Sequence, residues 1–297
     1  MTLTREKVLI EALPYIREFY GSLMVIKIGG HAMVDPEVMD DIIQDIVLLR
    51  YVGIYPIIVH GGGPEITAKM EIMGKKPEFI GGLRITDDET MEIASMVLVG
   101  NINTNIVSLI GLHGGRGIGL SGKDGRMIIA RKKPSQRIMI EDIEHEVDLG
   151  WVGETEIINP ELLSIVTEKG YIPVISPIAM DVRGNSLNIN ADTVAGDIAA
   201  AIHAKKLILM TDVPGILEKH DDKSTRISRI AVGDVENLIS EGIITGGMIP
   251  KIRSASTAVE SGVEGIHIIN GSVSHSILLE LFTDQGIGTM LYKKDTS

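Results

Sequence analysis

Leu23-Met24-Val25-Ile26-Lys27-Ile28-Gly29-Gly30 is an apolar run interrupted only by Lys27 and ended by two glycines. Such a run suits a strand buried on both faces of a parallel sheet. Periodicity alone does not separate it from a helical segment, but the glycines favour the strand. A buried strand gains no stability from an ammonium group, so Lys27 is expected at the strand's carboxyl end, where open α/β sheets place their ligands, and it is read as functional.

Upstream, residues 4–20 carry a helical stripe of Val8, Leu9, Ala12, Leu13, Ile16, Phe19 and Tyr20, with Pro14 expected to bend or break it. The stripe packs either on its own domain or on another subunit; pattern alone favours the first. Downstream, a helix over about 36–51 and a strand over 54–59 complete a βαβ unit. It ends in His60-Gly61-Gly62-Gly63-Pro64, a glycine run that opens a helix and offers backbone N–H groups to an anion. Arg84 follows Gly81-Gly82-Leu83, just ahead of Thr86-Asp87-Asp88-Glu89, a capping box for a long helix towards Leu112.

Residues 115–157 read as short β segments over 118–120, 126–130 and 147–157, expected as hairpins over one end of the sheet. Alternation then returns, with helices over 160–169, 193–204, 251–261 and 273–282 and strands over 172–175, 206–210, 266–269 and 289–292. The pattern is α/β with no repeat period and no interdomain linker.

The balance of 28 basic and 40 acidic residues gives a net charge of −12, which argues against nucleic acid or an anionic membrane as the main partner. A small anion in a local basic cleft stays compatible with it. Absence of cysteine excludes disulfides, thiol nucleophiles and thiolate metal sites. The first twenty residues carry no signal pattern, and charges are expected to interrupt every apolar run short of membrane-spanning length, so a soluble, cytoplasmic chain is expected.

Gly117-Ile118-Gly119-Leu120-Ser121-Gly122 fits a dinucleotide glycine pattern but runs into the turn Lys123-Asp124-Gly125 instead of a helix, and Asp124 stands where a P-loop needs a hydroxyl. His60-Gly61-Gly62-Gly63 resembles an esterase oxyanion loop, yet no Gly-x-Ser-x-Gly elbow supplies a nucleophile. The eight histidines show no metal-ligand spacing and read as core or surface residues. What remains is a set of glycine corners with polar companions: Lys27 with Gly29-Gly30, Gly61 to Gly63, Asn188 with Asp192, and Gly246-Gly247 with Lys251. Together they suit a polyphosphate, with backbone N–H groups on phosphate oxygens and two distant lysines flanking a migrating phosphoryl group.

Taken in order, Lys-Ile-Gly-Gly, His-Gly-Gly-Gly, Gly-Leu-Arg-Ile-Thr, Gly-Leu-Ser-Gly-Lys-Asp-Gly, Asn-Ile-Asn-Ala-Asp and Gly-Gly-Met-x-x-Lys resemble the amino acid kinase family across residues 23–292. Gly82 to Thr86 and Gly119 to Gly125 point to the branch that phosphorylates N-acetylglutamate, not to aspartate, carbamate or uridylate kinases. The resemblance implies a three-layer αβα sandwich with a mainly parallel central sheet, preceded by a helical arm over residues 1–20. Within residues 21–297 it implies an N-lobe (about 21–190) for the acyl amino acid and a C-lobe (about 191–297) for ATP carrying Mg2+, with no metal ligand from the protein.

By the same resemblance, Lys27 and Lys251 stabilise the transferring phosphoryl group and Asp192 holds both. Gly62, Gly63, Arg84 and Asn188 bind the acyl amino acid. Gly29, Gly30, Gly61, Thr211, Asp212, Gly215, Leu217, Gly246, Gly247 and Met248 serve the phosphates and nucleotide. The activity implied is transfer to a carboxyl group, with N-acetyl-aminoadipate as a rival substrate and a non-catalytic arginine or nucleotide sensor as a rival of another class.

The arm and the stretch Glu280-Leu281-Phe282-Thr283-Asp284-Gln285-Gly286-Ile287-Gly288-Thr289 resemble the members inhibited by arginine. That resemblance implies a hexamer built from dimers through the N-terminal helix, reversing the preference drawn from pattern alone. It also implies an arginine site with His267, Glu280 and Gly288, Glu280 facing the guanidinium, and with Tyr15 and Lys219 as further candidates.

Overall fold

The computed structural model describes residues 10–80, 83–140, 143–219 and 222–294. The first nine residues of the arm and the Gly81-Gly82 turn lie outside them. The first strands are β1 (Leu23–Ile28), β2 (Tyr55–His60), β3 (Phe79–Ile80), β4 (Leu83–Arg84) and β5 (Gly117–Ser121). Next come β6 (Ile128–Lys132), β7 (Gln136–Ile140), β8 (Ile143–Val147), β9 (Gly153–Ile158), β10 (Ile172–Ser176), β11 (Ile178–Met180) and β12 (Ser186–Asn188). The last are β13 (Lys206–Thr211), β14 (Arg229–Ala231), β15 (Gly265–Asn270) and β16 (Thr289–Tyr292).

The main sheet runs β14-β16-β15-β13-β1-β2-β10-β5. It is parallel from β15 to β5, and β16 turns antiparallel to β15. β1 is central, with β2 on one side and the much later β13 on the other, so the strand order reverses beside it. Crevices at such switch points, outside the carboxyl ends of the strands, are where open α/β sheets bind ligands.

The alternation along β1 separates two cores. Val25 packs with Val194, Ala195, Ile198, Ile252 and Ala255 of the helices Ala191–Ala201 and Met248–Glu260. Met24, Ile26 and Ile28 pack on the opposite face with Ile42, Ile43 and Ile46 of the helix Pro36–Tyr51. Helices therefore cover both faces of the sheet, which is why the strand is apolar throughout.

Four expectations change. Residues 118–120 are not a hairpin: as part of β5 they form the parallel edge of the main sheet beside β10, while the hairpins are β6 with β9 and β7 with β8. The glycines of β5 serve close packing, since a Cβ at Gly119 would come within 2.1 Å of Asn103 Oδ1. The strand expected over 147–157 is interrupted, because Thr86 bridges to Gly150, with Thr86 N–H on Leu149 O and Trp151 N–H on Thr86 O. That bridge also takes Thr86 out of its capping role, and Asp87 caps the helix instead, accepting from Thr90 N–H.

Pro14 does break the N-terminal helical run as expected: the run is interrupted at Ala12, and Pro14 sits in the first turn of the helix Leu13–Phe19 that follows. Finally, the helix Asp88–Leu112 is long and apolar enough to cross a membrane by length and composition, with a mean hydropathy of 1.6. Charges do not interrupt it as expected. Its apolar residues Ile93, Val97, Ile102, Ile106 and Ile110 belong to the core formed with Ile42, Ile46, Ile58 and Val174, and that burial accounts for its uncharged length.

One buried carboxylate ties this layer to the C-terminal helix Ser276–Leu281. Asp45 is buried and pairs with His275 Nδ1 at 2.7 Å, and the backbone N–H groups of Ile277 and Leu278 lie close enough to favour its charged form. Burial pushes its carboxyl up to about 6 despite these donors, and the bond to Asp45 raises His275. Both groups bind protons more tightly folded than unfolded, so their stabilisation is lost as pH rises through about 4 to 7. Asp45→Asn is expected to flatten that part of the stability profile in urea titrations across this range, and an unchanged slope would refute the linkage.

Candidate active site

Lys27 lies on the same face of β1 as Val25, beneath the helices Ala191–Ala201 and Met248–Glu260. The first of these begins at Asn190, whose side chain accepts from the N–H groups of Asp192 and Thr193. Asp192 thus sits in a first helical turn, where a carboxylate is favoured. Lys251 occupies the first turn of the second helix, after the Gly246-Gly247 turn. The two helices approach closely, a Cβ at Gly196 meeting Ala258 Cβ at 3.4 Å.

These elements join three charges that are far apart in sequence. Lys27 Nζ lies 2.9 Å from one oxygen of Asp192, and Lys251 Nζ hydrogen-bonds the other. Burial alone would push the Asp192 carboxyl up, but Lys27 and Lys251 together hold it below its ordinary value. Burial lowers Lys251, opposed by Asp192 and reinforced by Lys27. Asp212, which lines the same cavity, also acts on Lys251, so the two ammonium groups stand against two carboxylates in a poorly solvated place, with Asp192 bound to both.

Two cavities meet at the cluster. The first, about 440 Å³, is lined by Lys27, Gly30, Thr211, Asp212, Gly215, Leu217, Gly247, Met248 and Lys251 among the expected residues, by Val213, Pro214 and Ile216 of the same expected stretch, and by Met210, Ile243 and Thr245 in addition. The second, about 250 Å³, is lined by Lys27, Gly29, Gly30, Gly61, Gly62, Gly63, Arg84, Asn188 and Asp192. Lys27 and Gly30 belong to both walls. Gly30 has φ +68°, and a Cβ there would strike Asp212 Oδ1 at 2.3 Å, so the tight corner requires glycine.

Arg84 is half-buried, stacked on the Phe79 ring and donating to Gly63 O at 2.9 Å and Thr67 Oγ1 at 2.7 Å, which points a fixed cation into the second cavity. Asn188 is anchored through its N–H to Trp151 O. Gly246 is not among the lining residues; it precedes those that are. The apolar wall residues Ile243 and Met210 carry no sequence signal that separates them from core. Asn190, which also lines the second cavity, was legible as an N-cap, an asparagine two residues before Asp192.

A third cavity, about 690 Å³, opens at the other end of β13 and β15 between Tyr15, Lys206, Arg229, His267, Glu280 and Asp284. Glu280 is buried, accepting from Ile287 N–H and Gly288 N–H and paired with His267 Nδ1 at 2.5 Å. His267 Nε2 is buried without a hydrogen-bond partner among the described residues. Gly288 supports Glu280 from behind, and neither it nor Lys219 lines the cavity. Tyr15 does, and its hydroxyl binds Asp284.

The geometry can be set beside known proteins. An acetylglutamate kinase of Methanococcoides burtonii is 76% identical over 293 residues, covering 99% of this chain and 96% of that protein. N-acetylglutamate synthase from Neisseria gonorrhoeae, complexed with coenzyme A and N-acetyl-glutamate, shares the fold at a TM-score of 0.84 and 23% identity, over 99% of this chain and 64% of that one. Carbamate kinase from Giardia lamblia bound to AMP-PNP shares it at a TM-score of 0.65 and 14% identity, over 92% and 99% of the two chains. Residues 22–270 match the family model itself, and the chain belongs to the amino acid kinase family.

Proposed function

We propose that the chain catalyses ATP-dependent phosphorylation of the γ-carboxylate of N-acetyl-L-glutamate, giving N-acetyl-L-glutamyl 5-phosphate in cytoplasmic arginine biosynthesis. The observation that carries this reading is the meeting of a largely apolar cavity and a smaller polar one at Lys27 and Gly30, beside a carboxylate that bridges two lysines. The identity to an acetylglutamate kinase supports the choice of acceptor. In this reading the N-lobe (about 21–190) takes the acyl amino acid and the C-lobe (about 191–297) takes ATP.

The acceptor carboxylate is ionised at neutral pH, so the reaction needs no general base, and positioning with charge neutralisation supplies the catalysis. Lys27 and Lys251 flank the phosphoryl group as it moves, Asp192 keeps both ammonium groups in reach, and Gly30, Gly62 and Gly63 present backbone N–H groups to its oxygens, the Gly61 N–H being already donated to Ile28 O. Arg84 and Asn188 hold the α-carboxylate end of the acyl amino acid. The lysines and glycines of the two walls suit phosphate oxygens, and Mg2+ is read as carried by the nucleotide's phosphates, where it would supply charge neutralisation.

Lys27→Ala and Lys251→Ala are each expected to lower kcat by about 100-fold or more with cooperative unfolding preserved. Unchanged turnover in either variant would sink the assigned roles. Arg84→Lys keeps a charge but loses the planar fork, so KM for the acyl amino acid should rise about tenfold with KM for ATP unmoved. Steady-state rates on N-acetylglutamate and N-acetyl-aminoadipate decide the acceptor: a preference for the longer acid overturns the choice, and absence of turnover on both favours a sensor.

The same reading takes the third cavity as an arginine site. The unpartnered His267 Nε2 supports it as an acceptor for a guanidinium N–H, and Glu280, with three donors already on its oxygens, retains one lone-pair position. Residues 1–20 are read as an arm that links dimers into a hexamer, because Leu13 and Tyr20 of its stripe stay 47% and 72% exposed on this chain. Removing residues 1–20 should convert a hexamer to dimers on a sizing column; a hexamer that survives the truncation refutes the arm.

A further inference from the structure

His60 ends β2, level with Ile28 of β1, and is fully buried. It shares the face of Ile58 and Ile28, opposite Lys27, and points towards the helix Asp88–Leu112. Both ring nitrogens are held: Nδ1 lies 2.8 Å from Gly61 O and Nε2 lies 3.3 Å from Asn103 Nδ2. The Asn103 amide is fixed in turn, donating to Val174 O at 2.9 Å.

Gly61 O can only accept, so Nδ1 must carry a hydrogen, and Nε2 of the neutral ring is left to accept from the Asn103 amide, whose second hydrogen it shares with Leu120 O at 3.4 Å. The ring proton therefore sits on Nδ1 and is donated to Gly61 O. Burial pushes the ring down to about 4, which keeps it neutral near pH 7. A leucine would fill this space without polar partners to satisfy, yet the fold spends an asparagine on it and a glycine at 119 to admit the Asn103 carboxamide.

The return lies in the next peptide. The described residues contain no cis peptide bond, so the Gly61–Gly62 unit is trans and its C=O and N–H point in opposite directions. Drawing Gly61 O inwards turns Gly62 N–H outwards, and Gly61, Gly62 and Gly63 line the second cavity with Lys27.

We infer that His60 and Asn103 are positioning residues for phosphoryl transfer, holding the Gly61–Gly62 peptide so that its N–H faces the transferring group. This rests on the kinase reading above. They touch neither substrate, and they act by fixing a donor whose value is realised in the transition state.

His60→Leu is expected to lower kcat about 10- to 100-fold while KM for both substrates stays within about threefold. His60→Asn, whose Nδ2 takes the place of ring Nδ1, should recover most of the loss. Wild-type kcat in His60→Leu overturns the role alone, whereas a wild-type protein inactive on N-acetylglutamate and ATP overturns the kinase reading and the role with it. Long-range proton–nitrogen spectra of the 15N-histidine-labelled wild type test the inference whether or not the variants fold: an Nδ1–H tautomer at His60 supports it, and an Nε2–H tautomer refutes it.

Discussion

The carboxylate of Asp192 between Lys27 and Lys251 is the constraint around which the rest is arranged. Desolvating three charges is costly, so the cluster is a poor device for stability. The fold carries that cost in well-packed helices: the seam of Ala195, Gly196 and Ala199 against Ala255 and Ala258 brings two helix N-termini together, and with them Asp192 and Lys251.

The sheet's topology explains why the two halves of the site are chemically unlike. On the β13 side of β1, the strand opens into Thr211 to Leu217 and an apolar wall completed by Ile243 and Met248. On the β2 side, the strand opens into three glycines with Arg84 and Asn188 beyond. In the proposed reading a planar base and a small polyanionic acid take these different walls, and the reversal of strand order beside β1 brings both walls to one lysine.

Much of this was legible because the signals were local. Lys27 was conspicuous as a charge in a buried strand, Gly61 to Gly63 as a glycine run before a proline, and Arg84 as a cation ahead of a helix. What escaped depended on contacts distant in sequence. Gly117 and Gly119 have a turn's composition, and only their neighbours, Ile110 and Val107 for the first and Asn103 for the second, show that they belong to a close-packed edge strand. Thr86 has the composition of a cap, but its bridge to Gly150 across more than sixty residues removes it from that role. The uncharged stretch of the helix Asp88–Leu112 reads one way as a sequence and another once its neighbours in the core are known.

His60 and Lys27 show how the same rule of alternation hides one polar residue and exposes another. They sit one register step apart on adjacent strands, Lys27 level with Val59 and His60 level with Ile28, so their side chains leave the sheet on opposite faces. Lys27 meets an ion partner and a cavity, which marks it as functional. His60 meets an asparagine and its own chain, which makes it indistinguishable by composition from a satisfied core histidine. Yet each anchors a glycine corner at the mouth of the sheet, Lys27 beside Gly29-Gly30 and His60 at Gly61. A backbone donor is only as well placed as the peptide plane that carries it, and a glycine run has no side chains of its own to hold that plane. The anchoring therefore has to come from the strand residue beneath, and a buried neutral imidazole, fixed at both nitrogens, supplies it without adding a charge that would compete with the lysines.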